Sequence, residues 1–172
     1  MSVIKAWALA IFLIGCASAP QPPLEVVPSV NLSRYVGKWY EIASFPTWFQ
    51  KGCAGSTAEY SLRPDGGIGV LNQCIKAPDG APDSARGIAW VVDPVTNAKL
   101  RVRFFWPFSG DYWIVDLDPD YQWVLVGEPK RNYLWILART STLDKHLYES
   151  IVKRAAGQGF DVARLIATRH NP

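Results

Sequence analysis

The chain has 172 residues, of which 49% are apolar and 19% charged, with a formal net charge of +3. That composition excludes a disordered chain and fits one globular domain with a full core. So weak a positive excess argues against nucleic acid as a partner, and the eight Trp, seven Tyr and seven Phe call for either a large core or an apolar cavity.

The chain opens with Lys5 and then an apolar run from Ala6 to Ile14. A helix needs about 20 such residues to cross a bilayer core of ~30 Å, so the run is too short to span. It has the length of the apolar part of a secretory signal. Leu13-Ile14-Gly15-Cys16 resembles the bacterial lipobox. The resemblance implies that residues 1–15 are a lipoprotein signal peptide and that Cys16 is lipidated. Several acyl chains on one cysteine anchor a protein stably where a single chain does not. An ordinary secretory signal with a chance cysteine is the alternative. Loss of Lys5 with this segment lowers the net charge from +3 to +2. Residues 16–30 carry Pro20, Pro22, Pro23 and Pro28 and read as a semi-rigid tether. Ala17, rather than Asp, follows Cys16. By the same resemblance this implies the outer membrane, with the domain facing the periplasm.

From Gly37 to Arg139 the pattern is of short β-rich runs broken by turn chemistry. The runs are Trp39–Ser44, Thr57–Leu62, Ile68–Ile75, Arg86–Val92, Lys99–Phe105, Asp111–Leu117, Tyr121–Val126 and Leu134–Arg139. Arg63-Pro-Asp-Gly-Gly67, Asp93-Pro94, Asp118-Pro-Asp120 and Gly127-Glu-Pro129 punctuate them. In Lys99–Phe104 the apolar Leu100, Val102 and Phe104 alternate with Lys99, Arg101 and Arg103. One wet and one dry face are what a barrel strand requires. Evenly spaced strands predict an all-β fold, an eight-stranded up-and-down antiparallel β-barrel. One C-terminal helix should pack outside it. Ser141-Thr-Leu-Asp144 resembles a capping box, and Leu143, Leu147, Tyr148, Ile151, Val152, Ala155 and Ala156 form a stripe that ends at Gly157 and Gly159. Phe160–Thr168 is a candidate edge strand.

Three segments then resemble the lipocalin family, and most closely its bacterial outer-membrane lipoproteins. Asn31–Ala43 contains Gly37-Lys-Trp39, similar to that family's first motif. Asp116-Leu-Asp118-Pro-Asp-Tyr121 is similar to the second, with Pro119 and Asp120 lengthening its spacing, and Leu134–Arg139 to the third. The likeness runs from about Asn31 to Ile166, within a barrel domain of residues 31–172. It implies that Trp39 plugs the closed end, that Arg139 lies over its indole, and that Gly37 permits a close backbone approach.

Strand parity and the resemblance together place Glu41, Ala43, Ala89, Leu100, Val102, Phe104, Tyr112, Ile114, Trp135 and Leu137 on the inward, ligand-facing wall. Glu41 and Tyr112 are the informative members, because an inward polar group can orient a headgroup; each could equally be satisfied internally or point to the rim. Phe104-Phe-Trp-Pro-Phe108 should leave strand geometry at Pro107 and make an apolar lip or a dimer contact. Ile88 and Trp90 should face outward, under the helix or a partner chain.

Cys53 and Cys74 remain once Cys16 is lipidated. An even pair in an oxidising compartment suggests a disulfide, and a free reactive thiol is the rival. His146 and His170 have no spaced partner, so no metal is expected. No phosphate loop, nucleophile elbow or paired acid and base is present, so no cofactor and no catalysis are expected.

The reading is a non-catalytic carrier of a fatty acid, lysophospholipid or similar lipid, held at a membrane, with homodimerisation open. An enzyme using a calyx cysteine on a lipophilic substrate and a filled-barrel interaction module are the alternatives.

Overall fold

A computed structural model of the chain describes residues 21–76 and 80–170. The expected signal peptide, Cys16 and the first part of the tether lie outside the described residues. Strands β1 (Gly37–Ser44), β2 (Cys53–Leu62), β3 (Ile68–Lys76), β4 (Ala81–Val91), β5 (Lys99–Phe105), β6 (Phe108–Leu117), β7 (Trp123–Gly127) and β8 (Leu134–Ala138) follow one another as expected. Helix α1 (Leu32–Tyr35) precedes them, and α2 (Lys145–Gly157) and a two-residue β9 (Ile166–Ala167) follow. Each strand from β2 to β8 is hydrogen-bonded to the next, and β1 pairs with both β8 and β2. The sheet therefore closes on itself as an eight-stranded antiparallel barrel, which removes the aggregation-prone edges of an open sheet. β9 adds beside β1, opposite Ala43 and Ser44.

Two apolar clusters follow from the alternation. The interior one gathers Trp39, Tyr60, Ile68, Val70, Ala89, Leu100, Ile114, Val124, Val126 and Leu137. The exterior one joins α2 to the outside of the barrel through Ile151 and Ala155, against Leu125, Leu134, Ile136, Phe45 and Phe160. Gly127 makes that second contact possible: a Cβ there would stand 2.5 Å from Phe160 Cζ. The helix begins one turn later than the capping pattern suggested. The Asp144 carboxylate itself accepts the Leu147 N–H at 2.9 Å, so Asp144 and not Ser141 is the cap. Ala156, counted in the apolar stripe, is exposed.

Strand bounds differ where the local signal is irregular. β2 starts at Cys53 rather than Thr57, because Gly55 (φ 61°) and a register shift between Ala54 and Thr57 break the alternation. β7 starts at Trp123, since Tyr121 sits at φ 60° in the preceding turn. Ala43 is a further correction. A bulge between Glu41 and Ala43 sets Glu41 opposite Leu137 but Ala43 opposite Ile136. Residues paired across a ladder share a face. Ala43 therefore lies on the outer side with Ile136, and Ser44, opposite Trp135, takes the inward place. Ile88 and Trp90 do face outward, but α2 lies against the other side of the barrel; the Arg103 guanidinium stands 5.6 Å from the Trp90 ring instead.

Candidate functional site

One end of the barrel is closed by chemistry that the family motif implied. Trp39 is completely buried, and its indole N–H donates to the Tyr35 carbonyl at 2.8 Å. The Arg139 guanidinium lies 3.7 Å from the Trp39 ring centroid, a cation–π contact. Its N–H groups also donate to the carbonyls of Arg34, Tyr35, Val36, Lys38 and Tyr121. One side chain thus ties α1, the start of β1 and the β6–β7 turn together. Gly37, at φ 96°, brings the backbone to this guanidinium, and a Cβ there would meet Arg139 Nη1 at 3.4 Å.

The other end is the mouth, bordered by the β1–β2, β5–β6 and β7–β8 connections. Trp48, Phe49, Phe105, Trp106 and Phe108 are exposed there. Phe105 pairs with Phe108 across a hairpin whose turn is Trp106-Pro107, so the aromatic run lies at the open end as a lip. Phe49, Tyr133 and Trp135 form a row of rings running inward, with Tyr133 stacked on Trp135 at 5.8 Å. The described chain begins at this same end, where Arg131 Nη2, in the β7–β8 connection, donates to the Pro22 carbonyl at 2.6 Å.

Glu41 lies beside the mouth, next to a cleft of about 590 Å³ between the β1–β2 connection and β9. Its buried carboxylate accepts from the Ser44 and Thr168 hydroxyls and the Gln50 amide. Those bonds join the mouth loop to the C-terminal strand, so Glu41 is satisfied as a latch. His170 adds a 2.7 Å contact to the Glu41 carbonyl oxygen. Cys53 and Cys74 are joined at 2.04 Å. Asp83 stands near the two sulfurs, but those sulfurs are bonded to each other.

Between mouth and plug, Ala89, Leu100, Val102, Phe104, Tyr112, Ile114, Trp135 and Leu137 all belong to the interior cluster or pack on it. Val102, Phe104 and Trp135 are only half-buried even though they point into the barrel. These side chains, and the space at Gly110 where an added Cβ would meet nothing within 4 Å, leave the interior open toward the mouth.

Deeper in the barrel, toward the plug, three hydroxyls meet. Tyr112 Oη lies 2.6 Å from Tyr35 Oη and 2.9 Å from Tyr60 Oη. The Tyr35 ring rests on the Trp39 indole, 5.2 Å between centroids. Tyr112 was legible from parity, whereas Tyr35 and Tyr60 reach it from α1 and β2. Burial, with the Tyr60 neighbour second, pushes the Tyr35 hydroxyl well above the usual tyrosine range. Burial does the same to Tyr112, and lifts Tyr60 to about 12. A proton held more tightly when folded than unfolded means that stability is intact below the unfolded value near 10 and declines as pH rises through and beyond it. An alkaline absorbance titration should therefore show these three of the seven tyrosines ionising only as the barrel unfolds. All seven titrating together near pH ~10 in folded protein would contradict the buried cluster.

The comparisons with known proteins agree with this geometry. The Lipocalin-like domain family model matches residues 30–170. The chain is 43% identical over 154 residues to temperature-induced lipocalin-1 of Arabidopsis thaliana, covering 84% of this chain and 82% of that one. It is 41% identical over 165 residues to outer membrane lipoprotein Blc of Escherichia coli K12, covering 95% and 93%. Apolipoprotein D of Macaca fascicularis is 34% identical over 166 residues, covering 91% and 84%. The insecticyanin structure from Manduca sexta superposes with a TM-score of 0.68 at 19% identity, over 89% of this chain and 88% of that one, a likeness of fold.

Proposed function

The chain belongs to the lipocalin family, and from that premise we propose a non-catalytic lipid carrier of the bacterial cell envelope. Its calyx would take up a fatty acid, a lysophospholipid or a similar amphiphile, driven by apolar burial at roughly 25 cal/mol per Å². The observation that carries this reading is the inward apolar wall toward the mouth, whose residues Val102, Phe104 and Trp135 remain half-buried. The plant and animal relatives support hydrophobic-ligand binding in general, and the Blc relatives support an outer-membrane lipoprotein.

The tether supports an orientation. Only five residues separate Cys16 from Pro22, and they reach at most about 20 Å when extended. Pro22 is fastened beside the mouth. Acyl chains on Cys16 would hold the mouth and its exposed Trp48, Phe49, Phe105, Trp106 and Phe108 close to the membrane that supplies or receives lipid. Catalysis by a calyx thiol is disfavoured, because Cys53 and Cys74 share a disulfide.

Native mass spectrometry of residues 17–172 exported to the periplasm, before and after organic extraction, tests the proposal. A discrete adduct that extracts as lipid is expected. A clean apo mass, together with no saturable uptake of added fatty acid or lysophospholipid, would overturn it in favour of an interaction module. A dimer mass would assign the aromatic lip to a second copy.

A further inference from the structure

The floor of the calyx has hydrogen-bonding capacity that its own residues do not use. The three hydroxyls of Tyr35, Tyr60 and Tyr112 carry three protons and share two contacts, both centred on Tyr112. Among the described residues, one donor proton is therefore left over. A second polar group lies on the same wall. Asn72 pairs with Ala58 of β2 and Ala85 of β4, so it takes the inward face that Ala58 shares with Tyr60 two positions along. Its Oδ1 is buried and has no hydrogen-bond partner among the described residues. A buried acceptor without a partner is costly unless a ligand supplies one.

Among the described residues, no charged side chain faces the interior at this depth. The register turns Trp39, Ala58, Tyr60, Val70, Leu100 and Tyr112 and their strand-mates inward below the mouth, and none of these positions is a lysine, arginine or histidine. The charged groups of that face stand at the mouth: Glu41, and Lys76 paired with Asp83 at 3.3 Å. Arg139 lies behind the Trp39 plug, with its N–H groups committed to carbonyls. An ionised headgroup carried to the floor would meet raised tyrosines and no counter-ion, and a buried unpaired carboxylate is strongly disfavoured.

We infer that the calyx floor is a subsite for an uncharged oxygen function, a hydroxyl or carbonyl at the inner end of a lipophilic ligand, with the Tyr35–Tyr60–Tyr112 hydroxyl cluster and Asn72 as its specificity-determining groups. The subsite rests on the carrier reading above and narrows it. A hydroxyl can accept the spare tyrosine proton and donate to Asn72 Oδ1; a carbonyl can do the first. The apolar remainder of the ligand lies against Val102, Phe104 and Trp135.

The test compares dodecanol with dodecanoate, which have the same carbon chain, at about pH 8, where the acid is ionised. Binding is read by tryptophan fluorescence on delipidated protein, with a dodecanoyl lysophospholipid as a third probe whose charged head stays outside. Dodecanol should bind at least about tenfold more tightly than dodecanoate, and the triple variant Tyr35→Phe, Tyr60→Phe, Tyr112→Phe, which removes every donor of the cluster, should weaken dodecanol about fivefold with dodecanoate unchanged. Asn72→Leu, which removes the unpartnered acceptor and leaves the tyrosine cluster in place, gives the same readout should the triple variant fail to fold. Equal or tighter binding of dodecanoate would overturn the subsite. So would an alcohol preference that survives in both variants. If none of the three probes binds, the carrier reading itself fails, a result distinct from loss of the subsite.

Discussion

Replacing Trp39 with alanine should lower the unfolding free energy by about 3–5 kcal/mol, the largest loss expected from any single change in this chain. The indole is wholly buried at the closed end, where α1 and the β6–β7 turn leave little freedom to collapse into the space. Its removal also strips the Tyr35 carbonyl of one donor and the Arg139 guanidinium of its π-face. Arg139→Met should cost a comparable amount for a different reason. It leaves the carbonyls of Arg34, Tyr35, Val36, Lys38 and Tyr121 without their shared donor. Because both side chains hold one junction, the double variant should lose clearly less than the sum of the singles, by about 1 kcal/mol or more. Urea unfolding of the four proteins measures this. Strictly additive losses would mean that the stacked pair is not a unit, and a Trp39→Ala loss below about 1 kcal/mol would mean that the plug is not structural.

Much of this arrangement was legible in the residues themselves. The alternation of Lys99–Phe104 assigned both faces of β5 correctly, and the turn chemistry at Asp65-Gly-Gly67 located the β2–β3 hairpin. What escaped was whatever depends on a break in period. A single bulged residue, Ile42, turned Ala43 outward and Ser44 inward, and no side-chain pattern announces such an insertion. The β2 start was hidden by Gly55 in the same way. The hydroxyl cluster was invisible for another reason. Tyr35 and Tyr60 lie 77 and 52 residues from Tyr112, and only closure of the barrel brings them to one point. Parity could have placed Tyr60 inward with Ala58, but it could not have shown that three side chains from α1, β2 and β6 converge. Glu41 shows the converse case: it stands out as an inward polar group, yet its partners Gln50 and Thr168 come from a loop and from the far end of the chain, which parity along β1 does not place beside it.

Gly110→Trp should abolish lipid binding while leaving the fold intact, with a loss of affinity of at least about 100-fold, or about 2.7 kcal/mol. Gly110 lies on β6 opposite Val102 and shares the inward parity of Tyr112 two residues on. A Cβ built there meets nothing within 4 Å, so the added side chain enters open space instead of displacing a neighbour. The indole would stand in the open interior on the mouth side of the hydroxyl cluster and take the volume a ligand needs. Stability should hold or rise, since glycine inside a strand is entropically costly and tryptophan suits a strand. Ser84→Trp is the matched control: Ser84 is exposed and sits opposite Gln73 on the outer face, so it adds the same side chain without touching the calyx. Thermal melts and native masses of the two variants decide between the readings of this barrel. Lipid lost in Gly110→Trp alone places the ligand inside. Lipid retained in both would mean that bound lipid sits on the exposed aromatic lip, and the barrel interior would then have no part in carrying it.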